Sequence, residues 1–368
     1  MAVPTASRLF SLQNAMRDRG AHLVVVGPTV SLRYLLDYEA IALERLTCLL
    51  VTESRAVMIM PDFDSSEFKA ATGLGDVETW TDRDGPKGAV RSAFGRLQLP
   101  DDPVTLIDEE LPFRFLTALR EEHRLKERGL AEELIAPLRL VKDPEEQARM
   151  TTAGELVSVG IDAMVEIAGP GMTERELMRS IENSLWEAGA ELIDIVLVQA
   201  GANSAAPHHQ ADDTTLATGQ PVLVDIAARV DGYFADITQQ VYLGAPPDDY
   251  VRAYDVVHAA QEAAVSRARA GASAHEIAAA ASEVVLASEF AEWNSPSTGH
   301  GIGSDVHEIP RVVEDNHFAL PAGAVITVEP GVYIPGRFGI RIEDTVLIED
   351  EGPRRLTRGS RPLTIKTG

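Results

Sequence analysis

One cysteine in 368 residues leaves no partner for an intrachain disulfide and no cysteine cage for a metal. That residue, Cys48, lies in the apolar run 47–51, which predicts a buried strand thiol. Basic residues are also scarce: 33 Lys and Arg face 57 Asp and Glu, for a net charge of −24. A chain of that sign does not recruit phosphates, so nucleic acid is excluded as a partner. No uncharged apolar stretch reaches the ~18 residues that would cross a bilayer, which excludes a membrane partner. The segment 1–17 sets Leu9, Phe10, Leu12 and Met16 among charges, the pattern of an amphipathic helix and not of a secretory leader. A soluble, cytoplasmic protein is the expectation.

What is present suits a folded chain with ample core: 45% hydrophobic and 24% charged residues, over a length that predicts two domains. Residues 1–136 alternate short β-rich runs (22–26, 48–52, 56–60, 104–107) with helical patterns such as 111–121, which predicts an α/β domain. Residues 82–86 and 101–103 read as loops, and no catalytic constellation stands out in this half. Residues 137–368 follow another pattern. Asp143 with Pro144 and Glu146 predicts a capped helix, and Thr173 with Glu176 a second. A strand at 193–198 and a hairpin of 221–228 and 232–243 follow, turning at Asp231-Gly232. The order then recurs, with a helix at 248–270, another opened by Ser273 and Glu276, and a strand pair at 324–334 and 338–349 around Pro335-Gly336. Two passes of helix, helix, hairpin within about 210 residues predict an α+β domain with an internal duplication.

Acidic residues stand inside apolar strands of both hairpins: Asp225, Asp236, Glu329 and Glu343. Any one of them alone reads equally well as the solvent-facing member of an alternating strand. Four in matched positions need a common cause, because a buried carboxylate costs several kcal/mol unless compensated. Two divalent cations would balance four carboxylates. His300, in Gly299-His300-Gly301, adds a fifth ligand between glycines that would let the backbone approach a crowded centre. Oxygen-rich ligation with one imidazole fits Mn²⁺ or Co²⁺ better than Zn²⁺. Cations about 3.5–4 Å apart could share a bridging hydroxide as a hydrolytic nucleophile. Thr238 shares a face with Asp236, and Arg341 with Glu343, so a hydroxyl and a guanidinium can orient the carboxylates.

The strings Val224-Asp225-Ile226, Gly232-Tyr233-Phe234-Ala235-Asp236-Ile237-Thr238, Thr298-Gly299-His300-Gly301-Ile302-Gly303, Val306-His307-Glu308-Ile309-Pro310, Val328-Glu329-Pro330-Gly331-Val332-Tyr333 and Gly339-Ile340-Arg341-Ile342-Glu343-Asp344 resemble those of the pita-bread-fold metallopeptidases. Within that superfamily the chain is similar to Xaa-Pro dipeptidases (prolidases) and aminopeptidases P. The resemblance covers the second half and extends weakly into the first. It implies a creatinase-like α/β domain at 1–136 before a pita-bread catalytic domain at 137–368. It also implies that Asp225 chelates one metal, that Asp236 and Glu343 bridge both, and that His300 and Glu329 complete the shell of the other metal. Glu329 would serve as general base and then acid. His208, 17 residues before Asp225, matches a substrate-facing histidine. His307 matches one that stabilises the tetrahedral intermediate or holds the proline carboxylate, and Arg311 could pair with that carboxylate. Arg341 also stands among the substrate-binding candidates. A homodimer is implied, with Asp37 and Tyr38 of the partner closing the site.

His209 reads as a polar loop residue and His317 as a surface one; Pro310 rules out a zincin helix at His307-Glu308, and the glycines around His300 lack the spacing of a phosphate loop. Three departures from the family pattern bear on the substrate pocket: Pro296 where relatives carry histidine, Gln239 for arginine, and Ala227 for glycine. The function implied is metal-dependent hydrolysis of Xaa-Pro dipeptides. The alternatives are an aminopeptidase P acting on longer proline-containing peptides and, from another class, a non-catalytic pita-bread binding module.

Overall fold

The computed structural model describes residues 4–41, 44–359 and 362–366, so the first residues of the expected amino-terminal helix lie outside it. The chain divides into two compact units, the first ending at Arg139 and the second beginning at Leu140. That junction falls inside the helix Glu132–Leu140, the same helix that the expected 136/137 division cuts.

The first unit is a six-stranded mixed sheet in the order Val77–Trp80, Ala56–Pro61, Cys48–Val51, Leu23–Val26, Val104–Ile107, Lys126–Leu130. Both faces are covered. Leu23 and Val25 point into one core with Val90, Phe94, Phe115 and Leu119, while Val24 and Val26 point into another with Leu12, Met16, Leu32 and Phe68. This is why the central strands read as unbroken apolar runs. The edge strands Val77–Trp80 and Lys126–Leu130 escape the sequence reading because they carry few apolar residues, as edges do. Cys48 is buried in its strand, which pushes its thiol up to about 12.

In the second unit the three expected caps all form: Asp143 and Glu146 open Pro144–Ile167, Thr173 and Glu176 open Glu174–Glu187, and Ser273 and Glu276 open Ala274–Leu286. The first hairpin, Gln220–Val230 with Tyr233–Leu243, pairs in continuous register, and positive φ at Asp231 and Gly232 makes its turn. Leu192–Ala200 and Thr364–Lys366 flank it in a four-stranded sheet. Helices Pro144–Ile167 and Glu174–Glu187 pack on one face of this sheet, and Asp248–Arg267 and Ala274–Leu286 pack on the second hairpin.

The duplication is visible in the backbone. In the first repeat, the amides of Gly171, Leu216 and Glu174 donate to the carbonyls of Leu216, Met172 and Thr214. In the second, those of Gly271, Leu320 and Ala274 donate to Leu320, Ala272 and Phe318 in the same pattern. The second hairpin differs from expectation. Each of its long strands is broken in two, so that Val325–Val328 pairs with Asp344–Ile348 in a five-stranded sheet while Gly331–Ile334 pairs with Phe338–Arg341 apart from it. Pro330, which has no N–H to give the ladder, marks one break. At the other, the amide of Glu343 leaves the hairpin and donates to Thr238 O at 3.1 Å. Glu329 and Glu343 therefore sit at the breaks. Among the described residues, no helix is long and apolar enough to cross a membrane.

Two helical glycines should respond with opposite sign to alanine. Gly95 is exposed in Lys87–Leu97 and a Cβ there meets nothing within 4 Å, so Gly95→Ala should stabilise by about 1 kcal/mol. At Gly154 a Cβ would lie 2.1 Å from Leu356 O, so Gly154→Ala should lower the thermal midpoint despite the same helix propensity gain. Melting curves of the two variants, read against the parent, decide this, and a rise for both would refute the packing assigned to Gly154.

Candidate metal centre

Four carboxylates and one imidazole converge in the second unit. Ligand atoms of Asp236, His300 and Glu343 lie within 4.8 Å of one another. His300 Nε2 is 3.5 Å from Glu329 Oε1 and 3.9 Å from Asp236 Oδ2. Asp225 joins through the ladder of the first hairpin, in which Asp225 is opposite Thr238 and Ala227 opposite Asp236.

The two hairpins are stitched to each other at this point. Thr345 Oγ1 donates to Asp236 O at 2.8 Å and accepts from Asp236 N at 2.9 Å. Thr238 Oγ1 donates to Glu343 Oε2 at 2.6 Å, and Gln240 Nε2 donates to Arg341 O at 3.2 Å. Alternate residues of the first hairpin thus meet alternate residues of the second, all facing inward.

Arg341, only 4% exposed, gives Nη2 to Asp225 at 2.6 Å, Nε to Thr238 Oγ1 at 3.1 Å and Nη1 to the Tyr333 hydroxyl at 2.8 Å. Orientation is therefore crosswise to expectation: the hydroxyl of Thr238 holds Glu343, and the guanidinium of Arg341 holds Asp225. With three of its nitrogens on protein groups, Arg341 acts as a strut for the carboxylates.

Electrostatics make this site unlike a satisfied core. Four carboxylates face one guanidinium. Burial, then the neighbouring Asp225 and Glu329, push Asp236 well above the usual carboxylate range. Burial, then Asp236, does the same to Glu343. Glu329 is raised too, because burial outweighs the pull of Arg341. Burial lowers His300, and burial followed by the proximity of His300 lowers His307. Asp236 Oδ1 and Glu343 Oε1 are buried with no hydrogen-bond partner. His300 Nδ1–H donates to Gly301 O at 2.9 Å, which leaves the lone pair of Nε2 aimed at the carboxylates. Acceptors facing acceptors, with orphaned oxygens among them, fit a divalent cation.

The His307 ring lies 4.3 Å from that of His300. Arg311 is exposed, opposite His300 in the strand register, and lines a groove of about 600 Å³ with Asn294, Pro296 and Ser297. His208 is exposed on the loop after the short helix Gly201–Ala205, with no hydrogen bond or ion pair to the cluster; His209 is bonded instead to Glu174 at 2.9 Å. Asp37, in the first unit, ends the helix Val30–Leu36 in a left-handed conformation, and Tyr38 packs edge-on against Phe68.

The glycines beside His300 allow close strand packing: a Cβ on Gly299 would lie 2.1 Å from Thr327 O, and one on Gly301 2.1 Å from Ile309 O. Gln239 alternates with Thr238 and points, like Ile237 and Val241, into the core under the helices. That departure therefore leaves the carboxylate face untouched, although Ala227, opposite Asp236, stands on it. A second acid–histidine cluster, Glu174, His209 and Asp212, is already satisfied: Glu174 accepts from the amides of Ala200 and Asp212 and from the side chains of Asn203 and His209. Sequence reasoning missed Thr345 and Tyr333. Thr345 lies two residues from Glu343, so the period of a strand could have flagged it.

With the geometry in place, comparison supplies the family. Residues 148–350 match the model for metallopeptidase family M24, and residues 8–141 that for the creatinase/prolidase N-terminal domain. The chain belongs to family M24: it is a hydrolase of the metallopeptidase class, built as a creatinase-type α/β domain followed by a pita-bread domain, and its family implies divalent metal ions. It is 32% identical over 352 residues to a probable dipeptidase PepE of Mycobacterium tuberculosis, covering 94% of this chain and 92% of that one. It is 34% identical over 258 residues to an Xaa-Pro dipeptidase of Pyrococcus horikoshii, covering 70% and 74%. The crystal structure of a dipeptidase from Pyrococcus horikoshii superposes with a TM-score of 0.92 at 30% identity, over 98% of this chain and 100% of that one.

Two measurements probe the centre. A carboxyl whose pKa is raised by folding favours the fold when protonated, and that contribution is lost as pH rises above its unfolded value near 4. Cation binding needs the deprotonated forms. The rise in thermal midpoint on adding divalent cation to chelator-treated protein should thus be larger at about pH 7.5 than at about pH 5; equal increments would count against the cluster as the binding site. Thr238→Val keeps the shape but cuts the link between Arg341 and Glu343, and should weaken cation affinity by about 10- to 100-fold in calorimetric titration.

Proposed function

We propose that this metallopeptidase is an Xaa-Pro dipeptidase that releases proline, working with two divalent cations at Asp225, Asp236, His300, Glu329 and Glu343. The observation that carries the reading is the buried carboxylate cluster, with its orphaned oxygens and the lone pair of His300 turned toward them. The relatives named as dipeptidases, similar over nearly the whole chain, support the substrate class. Mn²⁺ is the proposed ion, with Co²⁺ and Zn²⁺ as alternatives, since one imidazole among oxygens is a hard donor set. When bound, such cations supply Lewis acidity toward the scissile carbonyl and toward a water.

The chain's own groups do the rest. Glu329 is partly exposed, with its carboxylate 3.3 Å from the Thr327 hydroxyl and 3.5 Å from His300 Nε2. Its raised pKa suits a group that takes the proton of the attacking water and returns it to the departing proline nitrogen. His307, held neutral beside His300, donates an N–H to the carbonyl oxygen as it gains charge or to the proline carboxylate. Arg311 offers an exposed guanidinium to that carboxylate from the groove it shares with Pro296. His208 projects from its loop as a substrate-facing imidazole. The reading includes a cytoplasmic homodimer in which Asp37 and Tyr38 of the partner limit substrate length, supported by the resemblance alone.

Steady-state hydrolysis of Ala-Pro and Ala-Pro-Ala after chelation and Mn²⁺ readdition tests this. Dipeptide cleavage that requires the ion and falls by about 10²- to 10⁴-fold in Glu329→Gln is expected. Preference for the tripeptide would transfer the assignment to an aminopeptidase P, and stoichiometric metal with neither activity would favour a binding module.

A further inference from the structure

Lys142 is a cation sealed inside the second unit. Its side chain is 1% exposed and that of its partner Glu308 2%, with Nζ 2.9 Å from Glu308 Oε2. Buried ion pairs seldom add net stability, since desolvation offsets their attraction, so such a pair invites a reason other than holding the fold together. The loop between the two charges supplies one. Glu308 Oε1 accepts from the Ser304 hydroxyl at 3.0 Å and from the Asp305 amide at 3.1 Å, closing residues 304–308 into a tight ring. Gly303 starts that ring with its carbonyl accepting from Phe234 N at 2.8 Å. It leaves room for the pair: a Cβ there would lie 2.6 Å from Lys142 Cε and 2.8 Å from Glu308 Oε2. Lys142 itself is fixed at both ends, its amide on Gly323 O and its carbonyl under Gln147 Nε2, each at 2.8 Å. His307 is the exposed residue this ring presents, and its ring reaches that of His300.

We propose that the Lys142–Glu308 pair is a positioning device that fixes the 303–308 loop so that His307 faces the carboxylate cluster in a single orientation. The inference rests on His307 acting on substrate. The bonds of Lys142 and Glu308 described above run to each other, to the 304–305 loop and to neighbouring backbone, so the pair reaches the reacting atoms through His307. A loop held only by its backbone ends would let the imidazole swing, and small misplacements of an orienting group are expensive in rate.

A double-mutant cycle separates positioning from plain structural support. Glu308→Gln keeps the size of the side chain and an oxygen for Ser304 and Asp305 but removes the charge that holds Lys142. Should the lone buried Lys142 prevent folding, Lys142→Met with Glu308→Gln strands no charge and carries the same cycle. With His307 present, the Glu308 variant should lose about tenfold in kcat/KM on Ala-Pro, with cation stoichiometry unchanged; with His307→Ala already in place, the same change should cost less than about twofold. Amide exchange at 304–307 should quicken in the Glu308 variant while Ile302 and Val325 keep their protection. Equal losses in both backgrounds, or none in either, would overturn the positioning role. A silent His307→Ala on its own would instead remove the reading of His307 on which the inference stands.

Discussion

The seam between the two hairpins is the contact on which the rest of the site depends. Asp236 meets Thr345, Thr238 meets Glu343 and Gln240 meets Arg341, each pair joined by a hydrogen bond from a side chain. Residues of one strand spaced by two thus face residues of another spaced by two, although the strands belong to different sheets. The seam forces Asp236 and Glu343 to approach, and the break at Ile342-Glu343 frees the Glu343 amide to bond across the seam instead of along its own hairpin. An uninterrupted second hairpin would have satisfied that amide locally and carried the carboxylate away. The irregularity of the second hairpin and the regularity of the first are therefore complementary. One provides a straight edge, and the other bends to meet it.

Bringing acids together in this way stores unfavourable electrostatics that Arg341 only partly relieves. Its three bonds, to Asp225, Thr238 and Tyr333, run to the rim of the cluster, so the interior oxygens of Asp236 and Glu343 remain unpaired. A protein that needed only a folded core would replace these groups with apolar ones at little cost or with gain. Their burial at the seam is intelligible if a cation completes the arrangement. The same logic explains why the histidine is fixed from its Nδ1 side: a backbone carbonyl holds the tautomer, and the lone pair is left for the centre.

Much of this was legible from sequence, for identifiable reasons. Caps such as Ser273 with Glu276 and the Asp231-Gly232 turn are local chemistry, and they form where they are read. Acids in apolar strands are conspicuous because they violate the pattern around them, so Asp225, Asp236, Glu329 and Glu343 could be singled out before any coordinates. Long-range geometry was not legible. Which donor holds which carboxylate depends on the seam, and its partners lie more than a hundred residues apart, so Thr238 and Arg341 could be identified as donors but not matched to their acceptors. Pro330 beside Glu329 is a local sign of one break in the second hairpin, but the apolar runs 325–328, 332–334 and 346–348 resume the strand pattern beyond the acids and hide the change of pairing partner. The place of Gln239 was hidden for a related reason: a neighbour in sequence belongs to the opposite face of a strand, here the face under the helices.

The duplication also accounts for how two histidines outside the carboxylate cluster are presented. Both repeats interlock the turn between their helices with a later segment through the same backbone bonds, at Gly171 to Glu174 and at Gly271 to Ala274. In the first repeat the residue at the end of this interlock is Glu174, fully buried, and it gathers Ala200, Asn203, His209 and Asp212 around its two oxygens. Gln199 adds bonds to the carbonyls of Pro207 and His209, which bracket His208 on both sides. In the second repeat that position is Ala274, which can hold nothing, and the bracing of a histidine-bearing loop passes to Glu308 with Lys142. Each repeat therefore spends one buried carboxylate on fixing a loop and leaves one imidazole of that loop, His208 or His307, exposed. A shared architectural demand met by unrelated residues is what a duplicated fold produces once its halves have diverged.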